Sequence, residues 1–123
     1  MGRGWAVEIK LVLPWPPSWN KLYRISGSRM YKTRAAKDFA TEVQVAVRRY
    51  RFDGFGTARI ELDIQAWPPD KRKRDLDNIQ KILLDSMQMA KLYKDDSQVD
   101  RISIVRGPVM PGGMVHVTVK EKE

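Results

Sequence analysis

Hydrophobic positions recur along the chain at two periods, and the switches between them divide it into elements. Val7, Ile9, Leu11 and Leu13 alternate with Glu8, Lys10 and Val12, which predicts a strand with one covered face. Pro14-Trp15-Pro16-Pro17-Ser18 stops it, because proline brings no amide donor to a ladder. Leu22–Lys32 reads as a short hairpin turning at Ser26-Gly27-Ser28. From Thr33 to Tyr50 the period becomes helical: Ala36, Phe39 or Ala40, Val43, Val47 and Tyr50 share a stripe behind an N-cap at Thr33. Asp53-Gly54-Phe55-Gly56 then punctuates as a turn.

Thr57–Trp67 gives the cleanest alternation. Ala58, Ile60, Leu62, Ile64 and Ala66 take one face; Arg59, Glu61, Asp63, Gln65 and Trp67 take the other. A second helix begins near Leu76, with Leu76, Ile79, Leu83 and Met87 as its stripe and Ile82 and Ala90 beside it. The chain turns around Lys91–Asp96 and closes with strands near Arg101–Arg106 and Met114–Lys120, joined through Gly107-Pro108 and Pro111-Gly112-Gly113. No repeat or linker interrupts it. The expected class is α+β: one domain over residues 1–123, a mixed β-sheet packed by two helices.

Composition narrows the chemistry. The absence of cysteine removes disulfides, thiolate zinc sites and cysteine nucleophiles, and a lone His116 cannot build a multi-histidine site. No apolar run has the length of a membrane span, and Met1–Trp5 lacks a signal peptide's apolar core, so a cytoplasmic protein is expected. A net charge of +8 points to an anionic partner, most simply nucleic acid. Seven of the ten aspartates nevertheless lie between Asp70 and Asp100, beside the strongest basic run. An electrostatic DNA binder gains nothing from acids placed there; a metal-dependent nuclease needs both.

The central feature is Lys71-Arg72-Lys73-Arg74-Asp75-Leu76-Asp77-Asn78, a basic loop entering a helix. Asp75 and Asp77 sit two apart in the lead-in, so both carboxylates can face one hard cation such as Mg²⁺. Lys81 lies one turn past Asp77 on the same face, where an ammonium can stabilise charge on a phosphodiester; Asp85 continues that face. A plainer account stands beside this one. Asp75 or Asp77 caps the helix, Asp77 pairs with Lys81 at the surface, and Lys71–Arg74 is a solvated charge run.

Lys73-Arg74-Asp75-Leu76-Asp77-Asn78, then Lys81, then Tyr93-Lys94-Asp95-Asp96-Ser97-Gln98-Val99, resembles the RusA family of Holliday junction resolvases. Pro14-x-Pro16-Pro17-Ser18-x-Asn20-x-x-Tyr23-Arg24 is similar to that family's opening motif, and the likeness runs from Leu13 to about Val105. Thr33–Tyr50 carries no such motif. The resemblance implies a homodimeric, Mg²⁺-dependent endonuclease, with Mn²⁺ as a substitute, that makes paired nicks across four-way DNA junctions in recombination and repair. It implies metal ligation by Asp75, Asp77 and Asp96, an essential Lys81, and a supporting Asp95. No membrane and no small-molecule cofactor are expected.

Chain length permits the acids to meet. A helix from Asp77 to about Gln88 runs roughly 17 Å, and about eight extended residues back to Asp96 reach roughly 26 Å. A helix continuing to Lys94 would instead send Asp96 to the partner's site. Lys71, Arg72, Lys73 and Arg74 are the foremost phosphate contacts; Arg24, Arg29, Lys32, Arg34 and Lys37 form a second basic group, with Arg24 and Lys32 foremost. Trp15, Trp19 and Tyr23 either wedge a junction or pack a core or dimer contact. Trp67 is a possible interface marker, His116 a plain surface residue, and Met87 and Met89 core or dimer packing. The competing functions are a non-enzymatic basic nucleic-acid binder and a metal-dependent ribonuclease or nuclease for another branched substrate.

Overall fold

A computed structural model describes residues 7–18 and 23–122, without the side chains of 29–31. Trp19, Asn20 and the Arg29 side chain lie outside the described residues. Strand β1 is Glu8–Leu13; β2 (Tyr23–Ser26) and β3 (Arg29–Lys32) form the hairpin, a separate two-stranded sheet; helix α1 is Arg34–Arg48. β4 (Ile60–Trp67), helix α2 (Leu76–Met89), a single 3-10 turn (Asp96–Gln98), β5 (Val99–Arg106) and β6 (Met114–Glu121) complete the order.

The main sheet runs β1-β6-β4-β5. β6 pairs antiparallel with both β1 and β4, whereas β4 and β5 are parallel, so the sheet is mixed as expected. A parallel pair cannot be joined by a tight turn, and α2 supplies the crossover. Ile9, Leu11 and Leu13 of β1, Ile60, Leu62, Ile64 and Ala66 of β4, and Val115, Val117 and Val119 of β6 all point inward. Each fully buried aliphatic side chain contributes about 1.5–3 kcal/mol of transfer free energy. The alternation along β4 carries through: its intervening residues are half-buried or exposed.

Both helices cover that face. α1 buries Ala36, Phe39, Ala40, Val43, Ala46 and Val47, and Thr33 accepts a hydrogen bond from the Ala36 amide at 3.4 Å as its N-cap. Tyr50, expected on this stripe, lies beyond the helix and is exposed; its hydroxyl reaches the backbone of Lys10 instead. α2 buries Ile79, Ile82, Leu83 and Met87, which makes Met87 core; Met89 packs beside Ala36 and Ile82. Among the described residues no helix is long and apolar enough to cross a membrane.

α2 ends at Met89. Ala90 is its C-cap, Lys91 follows with φ 64°, and the amides of Lys91 and Leu92 donate to the carbonyls of Gln88 (2.9 Å) and Met87 (3.0 Å). This is a Schellman termination with lysine in the left-handed position that glycine usually takes. Leu92 then tucks into the core, and its carbonyl accepts from the Phe55 amide at 2.8 Å. Gly54, with φ 112°, sits so close that a Cβ there would stand 2.8 Å from the Lys91 carbonyl oxygen. The loop before β4 and the loop after α2 are thereby locked together.

His116 departs from its expected plain surface role. Half-buried, its ring meets the Trp67 ring edge-on at 4.6 Å, because antiparallel pairing sets β4 and β6 side chains beside each other on the face away from the helices. Trp67 is thus held within the sheet's own surface.

Candidate active site

β4 delivers the chain to the site. Beyond Trp67, Pro68-Pro69 prevents the ladder from continuing, and the Asp70–Arg74 loop leaves the carboxyl end of a parallel strand, where open sheets with helical crossovers place their ligands. Asp70 folds this loop on itself: its Oδ1 accepts from the Arg72 amide at 2.9 Å and from Arg74 Nη1 at 2.8 Å. The Arg74 hydrogen bond, then that of the Arg72 amide, holds the Asp70 carboxyl below the usual carboxylate range. Arg74 lies over the Trp15 ring, 5.6 Å from its centroid, and Arg106 of β5 donates to the Arg74 carbonyl at 2.8 Å.

This clip separates the four cations of the loop. Lys71, Arg72 and Lys73 are exposed, with the Arg72 side chain 84% accessible, whereas that of Arg74 is only 20% accessible. Arg74 is first an organiser of the loop. Lys71 and Lys73 carry no ion pair to a described residue, and neither do Arg24 and Lys32, both exposed on the hairpin. Arg34, from the second basic group, pairs with Asp38 at 3.0 Å.

Asp75 occupies the N-cap position of α2, yet its side chain makes no capping hydrogen bond. Asp77 is exposed in the first turn, near the helix's positive end, and no described residue pairs with either carboxylate. Lys81 follows, exposed, one turn later. Half a helix further on, Asp85 accepts a short hydrogen bond from the Tyr23 hydroxyl, which ties the hairpin to α2. Burial first, and Asp85 second, push the Tyr23 hydroxyl well above the ordinary phenol range.

Asp96 opens the 3-10 turn after α2. The Tyr93 hydroxyl shares its proton between the Leu84 carbonyl (2.6 Å) and Asp96 Oδ1 (3.1 Å). Desolvation raises the Asp96 carboxyl above its ordinary value; the nearby charges of Asp85 and Asp95 add to this, and the Tyr93 hydrogen bond opposes it. Asp95 is structural: its carboxylate caps the turn by accepting from the Ser97 amide at 3.0 Å, which holds it low. Asp100 is bound to Arg59 and Lys122 across the sheet edge.

The acids therefore fall into two groups, Asp75 with Asp77 at the start of α2, and Asp85 of its second half with Asp96 of the 3-10 turn beyond it. Helix termination at Met89 satisfies the reach condition for Asp96 to serve its own chain. Among the described residues, however, no three carboxylate or imidazole groups converge on one point. The donor chemistry still fits Mg²⁺, which takes one or two protein carboxylates and fills its remaining positions with water and substrate phosphate. Asp75 and Asp77, with no competing partner among the described residues, meet that requirement.

Sequence reasoning found the acids and cations but missed what holds them. Asp70 two residues before Arg72 carries an Asx-turn signal. Asp95-x-x-Gln98 likewise carries capping-box spacing, whereas nothing in the sequence marks Arg106, on a distant strand, as the donor to the Arg74 carbonyl.

The chain matches the family described as Endodeoxyribonuclease RusA over residues 14–120. It is 40% identical over 116 residues to the crossover junction endodeoxyribonuclease rusA of Enterobacteria phage HK97, covering 94% of this chain and 97% of that protein. It is 32% identical over 111 residues to the crossover junction endodeoxyribonuclease RusA of Escherichia coli strain K12, covering 90% of this chain and 92% of the relative. The clipped loop, α2 and the Asp95–Asp96 turn all lie inside the matched span, and the chain belongs to the RusA endodeoxyribonuclease family.

Proposed function

We propose that this protein is a Mg²⁺-dependent endonuclease that resolves four-way DNA junctions, acting as a homodimer that nicks two strands symmetrically. The observation that carries the reading is the pair of uncapped carboxylates, Asp75 and Asp77, at the end of a clipped cationic loop. Family membership and the relatives' junction-endonuclease names support it. A two-fold dimer matches the symmetry of paired cuts.

In this mechanism Lys71, Arg72 and Lys73 draw the DNA backbone to the loop, with Arg24 and Lys32 engaging a second strand across α2. Asp75 and Asp77 would hold the metal, and Asp96, which stands in the other group of acids, would join them as third ligand only when metal and DNA draw the two groups together. A divalent cation held there would lower the cost of activating the attacking water and of charge on the cleaved phosphodiester. The Lys81 ammonium, one turn from Asp77, offsets negative charge that grows as the phosphorus is attacked. Tyr93 keeps Asp96 in place, and the Asp70–Arg74 clip fixes the height of Asp75 above the strand end.

Asp75→Asn tests this assignment cleanly, because the Asp75 side chain makes no capping hydrogen bond to lose, asparagine suits the N-cap position as well, and stability should move by less than about 0.5 kcal/mol. The variant should bind a synthetic four-way junction while losing nicking in Mg²⁺. Undiminished nicking would remove Asp75 from the site. A wild type that binds but cuts no junction would make the protein a binding module, and cleavage of RNA in preference to the junction would change the substrate class.

A further inference from the structure

A cleft of about 1020 Å³ opens beside Asp75, between Trp15–Ser18, Ala35 at the start of α1, and the first turns of α2. Its size is that of pockets holding small organic ligands. Its walls differ in chemistry. Pro16, Ile79 and Ile82 supply an apolar floor, Arg72 and Lys73 a cationic rim, and Asn78 a carboxamide. Asn78 is exposed in the first turn of α2, and no described residue hydrogen-bonds its side chain. Arg74, clamped by Asp70 and lying over Trp15, keeps the cleft's outer wall in place.

Few ligands satisfy all three surfaces together. A nucleotide does: its base has apolar faces and a hydrogen-bonding edge, and its phosphate carries the charge the rim would attract. The base must leave its stack to enter, which costs least where pairing is already interrupted. The crossing point of a branched substrate provides such a place. We propose that this cleft receives one unstacked base of the cut strand, next to the scissile phosphate, and that Asn78 reads its edge. The inference rests on the endonuclease reading above, and it assigns Asn78 a specificity role separate from the acids.

The test uses junctions carrying a single abasic nucleotide at each position within two of the nick, cut by the wild type, Asn78→Ala and Ala35→Trp. Ala35 lines the cleft without offering a side-chain polar group, and a tryptophan there would take up its space. At one position, loss of the base should slow the wild type about tenfold, the range of one good base contact. Ala35→Trp should cut the intact junction slowly and ignore base removal. Asn78→Ala should bind as the wild type does but flatten the base preference at that position. A wild type indifferent to base loss at every position overturns the proposal, as does Asn78→Ala with the wild-type preference. If the wild type cuts no junction at all, the endonuclease reading fails first. The cleft is then judged with 2-aminopurine in the bound junction: emission rising at one position and lost in Ala35→Trp supports it, and no such position refutes it.

Discussion

At Gln98 one carboxamide, 6% exposed, joins three segments. Its Oε1 accepts from the Lys94 and Asp95 amides, both at 2.8 Å, while Nε2 donates to the carbonyls of Gly56 (2.8 Å) and Ala58 (2.9 Å). Because the Lys94 amide also donates to the Gly56 carbonyl at 3.3 Å, Gln98→Leu would leave the Asp95 amide and the Ala58 carbonyl unpaired in a protected place and should cost about 2 kcal/mol. Urea denaturation with an unchanged slope is the measurement; a loss below about 1 kcal/mol would show that water replaces the network. Asp100 offers a pH-dependent counterpart. Arg59, and then Lys122, hold its carboxyl at about 2, against an ordinary 3.8. A depressed acid stabilises the fold above its unfolded value and loses that contribution as the proton returns. The urea midpoints of wild type and Asp100→Asn should therefore differ at pH 6 and converge between about pH 4 and 2.

At the scale of elements, much of the fold was legible because burial leaves a period. The alternation in β4 and the α1 and α2 stripes are visible from one-sided burial, and the hairpin turn and Thr33 as N-cap from local chemistry. What was hidden depends on partners far away in sequence. His116 cannot announce Trp67, and Arg74 cannot announce Trp15 or Arg106. The candidate acids were legible by type and spacing, but their division into two groups follows from how far α2 carries Asp85 past Asp77, about 12 Å. The end of α2 shows the same limit, since lysine rather than glycine holds the left-handed position. Lys91→Gly should relieve that strain, net of glycine's greater chain entropy, and raise stability by about 0.5–1 kcal/mol in thermal or urea unfolding. A decrease would mean that the lysine stem packs usefully there.

For the molecule as a whole, the excess charge of +8 is unevenly available. Arg74 is matched by Asp70, Arg59 by Asp100 and Arg34 by Asp38, whereas Lys71 and Lys73 face solvent without a described ionic partner. Junction affinity should fall with salt, each engaged phosphate adding about 0.9 to the logarithmic slope. Lys73→Ala should reduce that slope by about one. Arg74→Gln should change it much less while lowering the cleavage rate, because it loosens the loop. Equal slope changes for the two variants would show that Asp70 does not neutralise Arg74 when DNA is bound.

The strand order has a consequence in time. β6 lies between β1 and β4, so Glu8 pairs with Lys120 and Trp67 with Met114. Until β6 has been synthesised, β1 has no partner and β4 lacks one of its two, and β4 meets β5 only across the whole of α2. Long-range pairings of this kind slow folding, towards milliseconds to seconds in β-rich domains. During translation at about 5–20 residues per second, β4 emerges several seconds before its antiparallel partner. The first helix precedes β4 along the chain and the second follows it, so the helices that later frame the acids are also the first elements made that can cover the nascent strand's apolar face.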